Sequence, residues 1–281
     1  MDIPRCGIAL IGGSSTLSIR VPEDLDLNGV DVLDENMVFA TPFGESPPFK
    51  LLQLEDDDGG RKVLTCRMHG WRSGVSRADA SRQVFWVLAQ AGVKKILAEG
   101  GVGAVNHLLR PRDIVVPDDY MDFSMRKDVG MDDRYLLVMR DALCPVMRRQ
   151  LIQHLERFWK GRVFDRGIYV NTDGRHFESP AEIQYYKIGG ADIVGQSICP
   201  EVYLAREIGA CYAGVYLVVN YAEGIVSPWQ HEELSDIFFS EACQLGQISL
   251  EFLRHMDLTE GCSCTELRKE TLLKEVYNNG D

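Results

Sequence analysis

The stretch Gly174-Arg175-His176-Phe177-Glu178-Ser179-Pro180-Ala181-Glu182 resumes at Gly190-Ala191-Asp192-Ile193-Val194-Gly195-Gln196-Ser197 and closes with Pro200-Glu201-Val202. It decides how the rest of the chain is read. Ile193-Val194-Gly195 is an apolar run that reads as a strand, Ser197 follows its end, and Pro200-Glu201 opens a helix. Phe177 offers an aromatic face beside the Glu178 carboxylate. A planar heterocycle needs a stacking ring and a polar partner for its edge. A phosphate or sugar needs hydroxyls and free backbone N–H groups at a helix start.

Working outward, the same strand-then-loop pattern recurs. Ile8-Ala9-Leu10-Ile11 is a buried first strand that delivers Gly12-Gly13-Ser14, where glycine lets the backbone come close and Ser14 supplies a hydroxyl. Lys62-Val63-Leu64-Thr65-Cys66 leads to Arg67-Met68-His69-Gly70-Trp71, and strict alternation puts Arg67 and His69 on one face, able to grip an oxyanion. Lys94 to Ala98 is a strand, with Glu99-Gly100-Gly101-Val102-Gly103-Ala104-Val105 as a loop built for close approach. Cys211 to Val219 is near-continuously apolar, as in a buried parallel strand, and ends at Asn220. Helices are expected over Ala80 to Ala91, Pro145 to Trp159, Pro200 to Ile208 and, as one long element, His231 to Leu253. Asp56-Asp57-Asp58-Gly59-Gly60 reads as a solvated hairpin tip.

Strands alternating with helices, without an internal repeat or linker, imply one α/β domain with a mixed, largely parallel central sheet flanked by helices. It is expected to span residues 1–260, followed by a charged tail, 261–281. The candidate ligand residues fall at the carboxyl ends of the strands. A hydrophobic content of 45% supports a full core, and a net charge of −12 argues against a nucleic-acid partner. No signal peptide or bilayer-length apolar run is visible, so a soluble, cytoplasmic protein is expected. Among the eight cysteines, Cys262-Ser263-Cys264 has no second Cys/His pair near it in the sequence, and no metal site is expected.

These residues resemble the trimeric purine nucleoside phosphorylase and 5′-methylthioadenosine phosphorylase family. That family reads G-P-x-F-E-T-x-A-E and G-A-D-x-V-G-M-S-T-V-P-E over the opening stretch, with R-x-H at Arg67 and His69. The resemblance implies phosphate held by Ser14, Arg67, His69, Ser197 and the backbone around Gly103. It implies a purine held by Glu178 and Asn220 against Phe177, with Trp71 and Gln196 beside the ribose. His69, Glu178 and Asn220 would carry catalysis. Asn at 220 together with Glu178 goes with 6-oxopurines. Inorganic phosphate is the co-substrate, no cofactor is needed, and a homotrimer is implied. Alternative activities are 5′-methylthioadenosine or methylthioinosine phosphorolysis, a hydrolytic nucleosidase, or nucleoside binding without turnover. Four residues depart from the family pattern: Arg175 replaces proline, Gln196 replaces methionine, and Glu99-Gly100 replace hydroxyl or amide residues. His231 lies where some relatives place a residue near the 5′ position. Some archaeal members also share a late C-x-C and carry internal disulfides.

Overall fold

The computed structural model describes residues 2–56, 59–131 and 134–272. The chain runs β1 (Ile8–Ile11), β2 (Val30–Met37), β3 (Ala40–Thr41), β4 (Gly44–Glu45), β5 (Phe49–Leu54), β6 (Arg61–Cys66) and α1 (Arg77–Ala91). It continues with β7 (Lys95–Ala104), β8 (Ile114–Val115), β9 (Asp119–Asp122), β10 (Tyr135–Leu137), α2 (Pro145–Phe158), β11 (Val163–Phe164) and β12 (Ile168–Asn171). The last third holds α3 (Pro180–Ile188), β13 (Ile193–Gly195), α4 (Ile198–Glu207), β14 (Cys211–Tyr221), α5 (His231–Ser240), α6 (Ala242–His255) and β15 (Arg268–Glu270).

An 11-stranded sheet follows the order β11-β8-β14-β7-β1-β6-β5-β2, with β13, β12 and β9 branching from β7. Its centre is parallel: β14, β7, β1 and β6 all run the same way. Antiparallel pairs lie outside it, at β5 and β2 and where β13 meets β7 and β8 meets β14. The expected mixed, largely parallel sheet is therefore present.

Alternation along the strands explains why they are apolar throughout. Ala9 and Ile11 enter one core with Phe85, Leu88 and Tyr216, while Ile8 and Leu10 enter the other with Leu151, Leu250 and Phe252. The helix α1 is capped by Ser76, whose hydroxyl accepts from the Asp79 N–H. It stops at Gly92, which adopts φ 85°.

Two expectations change. The segment 99–104, read as a loop, continues strand β7. Gly100 and Gly101 stay in the ladder with Tyr216 and Leu217 because a Cβ on Gly101 would lie 3.0 Å from both Phe238 and the Ser14 hydroxyl. The long last helix is two helices, broken at Glu241, where Arg112 binds Asp236 at 2.5 Å and also binds Glu241. The tail is tied down as far as it is described: β15 pairs antiparallel with β10, and Cys264 and Leu267 are buried. Residues 273–281 of that tail, and Asp57 and Asp58 of the hairpin tip, lie outside the described residues.

The tail also corrects the reasoning about cysteine. Cys262 and Cys264 have no partners near them in the sequence, but the fold brings Cys144 and Cys211 to them, with all four sulfurs within 4.8 Å of one another. No disulfide joins any of the eight cysteines. Among the described residues no helix is long and apolar enough to cross a membrane.

Candidate active site

At the carboxyl ends of β1, β6, β7, β13 and β14 the chain leaves a cavity of about 280 Å³. Ser14, His69, Trp71, Gly103, Phe177, Glu178, Gln196, Ser197 and Asn220 all line it. These come from segments up to 206 residues apart in sequence (14 to 220), so the sheet assembles them.

Asn220 owes its aim to a bulge. The β14–β7 register runs residue for residue to Val218, opposite Val102, and then skips Val219, so that Asn220 sits opposite Gly103. Its Nδ2 donates to the Tyr221 carbonyl at 2.8 Å, which fixes the sense of the amide. Its Oδ1 is buried and has no partner in the chain. A buried, unpaired acceptor lining a cavity is a group awaiting a donor. Glu178, also buried, accepts from the Thr172 hydroxyl at 2.5 Å.

His69 is held from behind. Its Nδ1 lies 2.7 Å from Glu201 Oε1, and Tyr212 donates its hydroxyl to Glu201 Oε2 at 2.8 Å. Burial pushes the Tyr212 phenol well above its ordinary value, so it remains a donor. Glu201 is 1% exposed. His69 lines the cavity, and its Nε2 lies so close to Gly13 that a Cβ there would come within 2.6 Å of it. Met68 and His69 both sit in the left-handed region, at φ 48° and 54°, ahead of Gly70 at φ 74°. Two such non-glycine residues side by side mark a backbone held by its surroundings, at a cost of about 1–3 kcal/mol each.

That turn also corrects the placement of Arg67. The strand ends at Cys66, alternation stops there, and Arg67 points away from the cavity. Its Nη2 donates to the carbonyls of Leu17 and Ile19 at 2.6 and 3.2 Å, on the wall of a neighbouring cavity. Glu99 faces that second cavity too. Its Oε1 accepts from the Gly13 N–H and, at 2.5 Å, from the Thr16 hydroxyl, so the carboxylate braces the Gly12–Thr16 loop from beneath.

Sequence reasoning missed Arg77. It lines the cavity from α1, lies 4.0 Å over the Trp71 ring and donates to Gln196 Oε1 at 3.1 Å. Burial, together with Arg126 and Arg175 nearby, lowers its guanidinium from the ordinary value. Gln196 is thus tethered to α1 and donates on to the His176 carbonyl at 3.3 Å. Gly174 adopts φ 75°, a conformation that favours glycine, and its backbone lies against the Gln196 amide. Arg175 adopts φ 68°, which proline cannot, and this accounts for one departure from the resembling pattern. Phe177 stands at the rim, half exposed, with its ring 4.8 Å from that of Trp229. Leu234 and Phe238 of α5 close the cavity with apolar side chains, while His231 is exposed and does not line it.

Around Ser14 and Ser197 the groups suit an oxyanion. The Ser14 hydroxyl accepts from Gly101 N–H at 2.9 Å, and Ser197 Oγ lies 3.3 Å from the Tyr169 hydroxyl. Burial pushes Tyr169 up to about 12, which keeps that hydroxyl protonated. The cavity therefore joins an end lined by hydroxyls to an end with buried acceptors at Glu178 and Asn220.

Known proteins resemble this chain in sequence and in fold. The family model for the phosphorylase superfamily matches residues 29–254. The chain is 32% identical over 280 residues to a 6-oxopurine nucleoside phosphorylase of Pyrococcus furiosus, covering 95% of this chain and 98% of that protein. It is 32% identical over 261 residues to a probable S-methyl-5′-thioinosine phosphorylase of Methanothermobacter thermautotrophicus, covering 92% and 87%. In structure it is similar to a methylthioadenosine phosphorylase sourced from an antarctic soil metagenomic library, with a TM-score of 0.73 at 23% identity, covering 94% of this chain and 91% of that one. The sheet, the cavity at its carboxyl edge and these matches agree: the chain belongs to the phosphorylase superfamily.

Proposed function

We propose that this protein cleaves the N-glycosidic bond of 6-oxopurine nucleosides with inorganic phosphate, releasing the free base and a pentose 1-phosphate. The observation that carries this is the unpaired Asn220 Oδ1. A 6-oxopurine leaving as its neutral base keeps the hydrogen on N1 and takes one on N7, the proton that hydrogen phosphate gives up, through water, as its oxygen bonds to the sugar carbon. Asn220 Oδ1 accepts the hydrogen on N7 and the Glu178 carboxylate the one on N1. As the bond from N9 to the anomeric carbon breaks, its electron pair moves into the purine. The Asn220 amide steadies the charge there through N7 and O6, where its second N–H can donate. On the other side Ser14, Ser197 and His69 hold phosphate for attack on the sugar carbon. With Arg67 turned away, Arg77 is the cation that lines the cavity among the described residues. No cofactor beyond phosphate enters this scheme.

The apolar wall at Leu234 and Phe238 favours a second reading within the same chemistry, a nucleoside whose 5′ group is apolar, such as 5′-methylthioinosine. A panel of inosine, guanosine, adenosine, methylthioadenosine and methylthioinosine, each with and without phosphate, tests both. Release of the free base is expected only with phosphate, at least tenfold faster for the 6-oxo member of each pair. Release at the same rate without phosphate would replace phosphorolysis by hydrolysis, and binding without turnover would make the protein a nucleoside receptor.

The same reading includes a homotrimer in the cytoplasm working in purine salvage. The exposed side chains of Phe123, Met125, Tyr185 and Ile188 support the assembly, since an apolar set of this kind suits burial between subunits. Light scattering should give a mass near three times the 31.6 kDa of one chain. A monomer mass at working concentration would remove this part of the proposal.

A further inference from the structure

The cysteine cluster lies at the other end of the sheet from the cavity. Cys211 opens β14 and Asn220 follows nine residues later, so the two are separated by about 30 Å at the usual rise of a strand. Cys144 is the N-cap residue of α2. Cys262 and Cys264 flank Ser263 where the tail turns back onto the body. Cys144, Cys211 and Cys264 are buried and Cys262 is partly so.

We propose that Cys144, Cys211, Cys262 and Cys264 form a structural tetrathiolate site for a zinc ion. Four sulfurs around one zinc at about 2.3 Å would stand about 3.8 Å from one another. Here all four lie within 4.8 Å of one another, and Cys211 and Cys262 are 3.3 Å apart. Mutual approach of every pair is what a single central ion requires. Two disulfides would need only two close pairs.

The surroundings fit a net negative centre. Lys95 Nζ sits 3.5 Å from Cys211 Sγ, and the start of the 14-residue helix α2 presents its positive end at Cys144. The backbone at three of the ligands is already fixed. Cys144 N–H donates to the Tyr212 carbonyl at 2.8 Å, Cys211 N–H donates to the Lys94 carbonyl at 2.8 Å, and Arg206 donates to the Cys264 carbonyl at 2.9 Å. Four protein ligands close the shell, which makes the site structural. It would clamp the described tail to the first turn of α2 and the start of the central strand β14.

The test uses the full chain, purified under reducing conditions without chelator. Elemental analysis should find close to one zinc per chain. Exchange of that zinc for cobalt(II) chloride should give the visible bands of a tetrahedral cobalt thiolate. Cys262→Ser combined with Cys264→Ser should lose the metal. Cys243→Ser, outside the cluster, should keep it. Because the double variant could unfold, the wild-type cobalt spectrum and metal content stand on their own. Two results would overturn the proposal: intact protein mass showing two disulfides among these four residues, or four alkylatable thiols and no bound metal after incubation with zinc chloride.

Discussion

Replacing Asn220 by aspartate is expected to lower kcat/KM for inosine by about 10³-fold and to raise activity on adenosine-type substrates. The wild-type amide is held by its Nδ2 bond to the Tyr221 carbonyl, which turns Oδ1 into the cavity. An aspartate has no hydrogen to give that carbonyl or the O6 of a 6-oxopurine, so two acceptors would face each other in a buried place. Mismatched hydrogen bonding in a closed site separates substrates by factors of about 10⁴, far more than shape alone achieves. A 6-aminopurine presents donors at the 6 position, and a carboxyl group at 220 can accept from them. Steady-state kinetics on inosine and adenosine decide the matter, read as a ratio so that general damage cancels. An unchanged ratio would remove Asn220 from base recognition. Asn220→Ala should depress both substrates together.

The second large effect is expected at Glu201, which touches no substrate. Its carboxylate accepts from His69 and from Tyr212, at 1% exposure. Glu201→Ala leaves two donors buried without a partner, and breaking a buried pair in this way costs about 3–5 kcal/mol. Thermal or urea unfolding should show that loss. Turnover should fall about 10²-fold, because His69 loses the group that fixes its ring and tautomer. Glu201→Gln separates the two roles. It keeps the volume and one acceptor, so stability should recover part of the loss while kcat stays depressed. His69→Ala and the double variant His69→Ala with Glu201→Ala should be about equally slow if the pair works as one unit. Additive losses in kcat would mean that Glu201 supports the fold alone.

The sheet and most of the cavity could be read from the sequence for a physical reason. Ser14, Ser197 and Asn220 follow apolar runs, and an apolar run of strand length tells where its carboxyl end falls. Arg67 could not be placed by the same rule. The rule assumes two-residue alternation, and the left-handed pair Met68-His69 ends it. The strand through Gly100 and Gly101 is hidden because glycine reads as loop, whereas Gly101 makes room for Phe238 and the Ser14 hydroxyl. Glu201 behind His69, Arg77 beside Gln196, and Cys144 beside Cys264 join residues far apart in the chain, and nothing local announces such pairs. Gln196 was visible as an oddity, but its tether to Arg77 was not.

The extra residue in β14 has a consequence for comparing this chain with others. Val219 contributes nothing to the ladder with β7, which pairs Val218 and Asn220 with consecutive partners. A deletion at that point would leave the rungs before it intact, at the cost of the buried Val219 side chain. It would still rotate the last residues of the strand relative to the base. Selectivity at this edge therefore rests on a tally of residues as much as on their identity. Two chains with the same asparagine but one position of difference in spacing should be expected to prefer different bases.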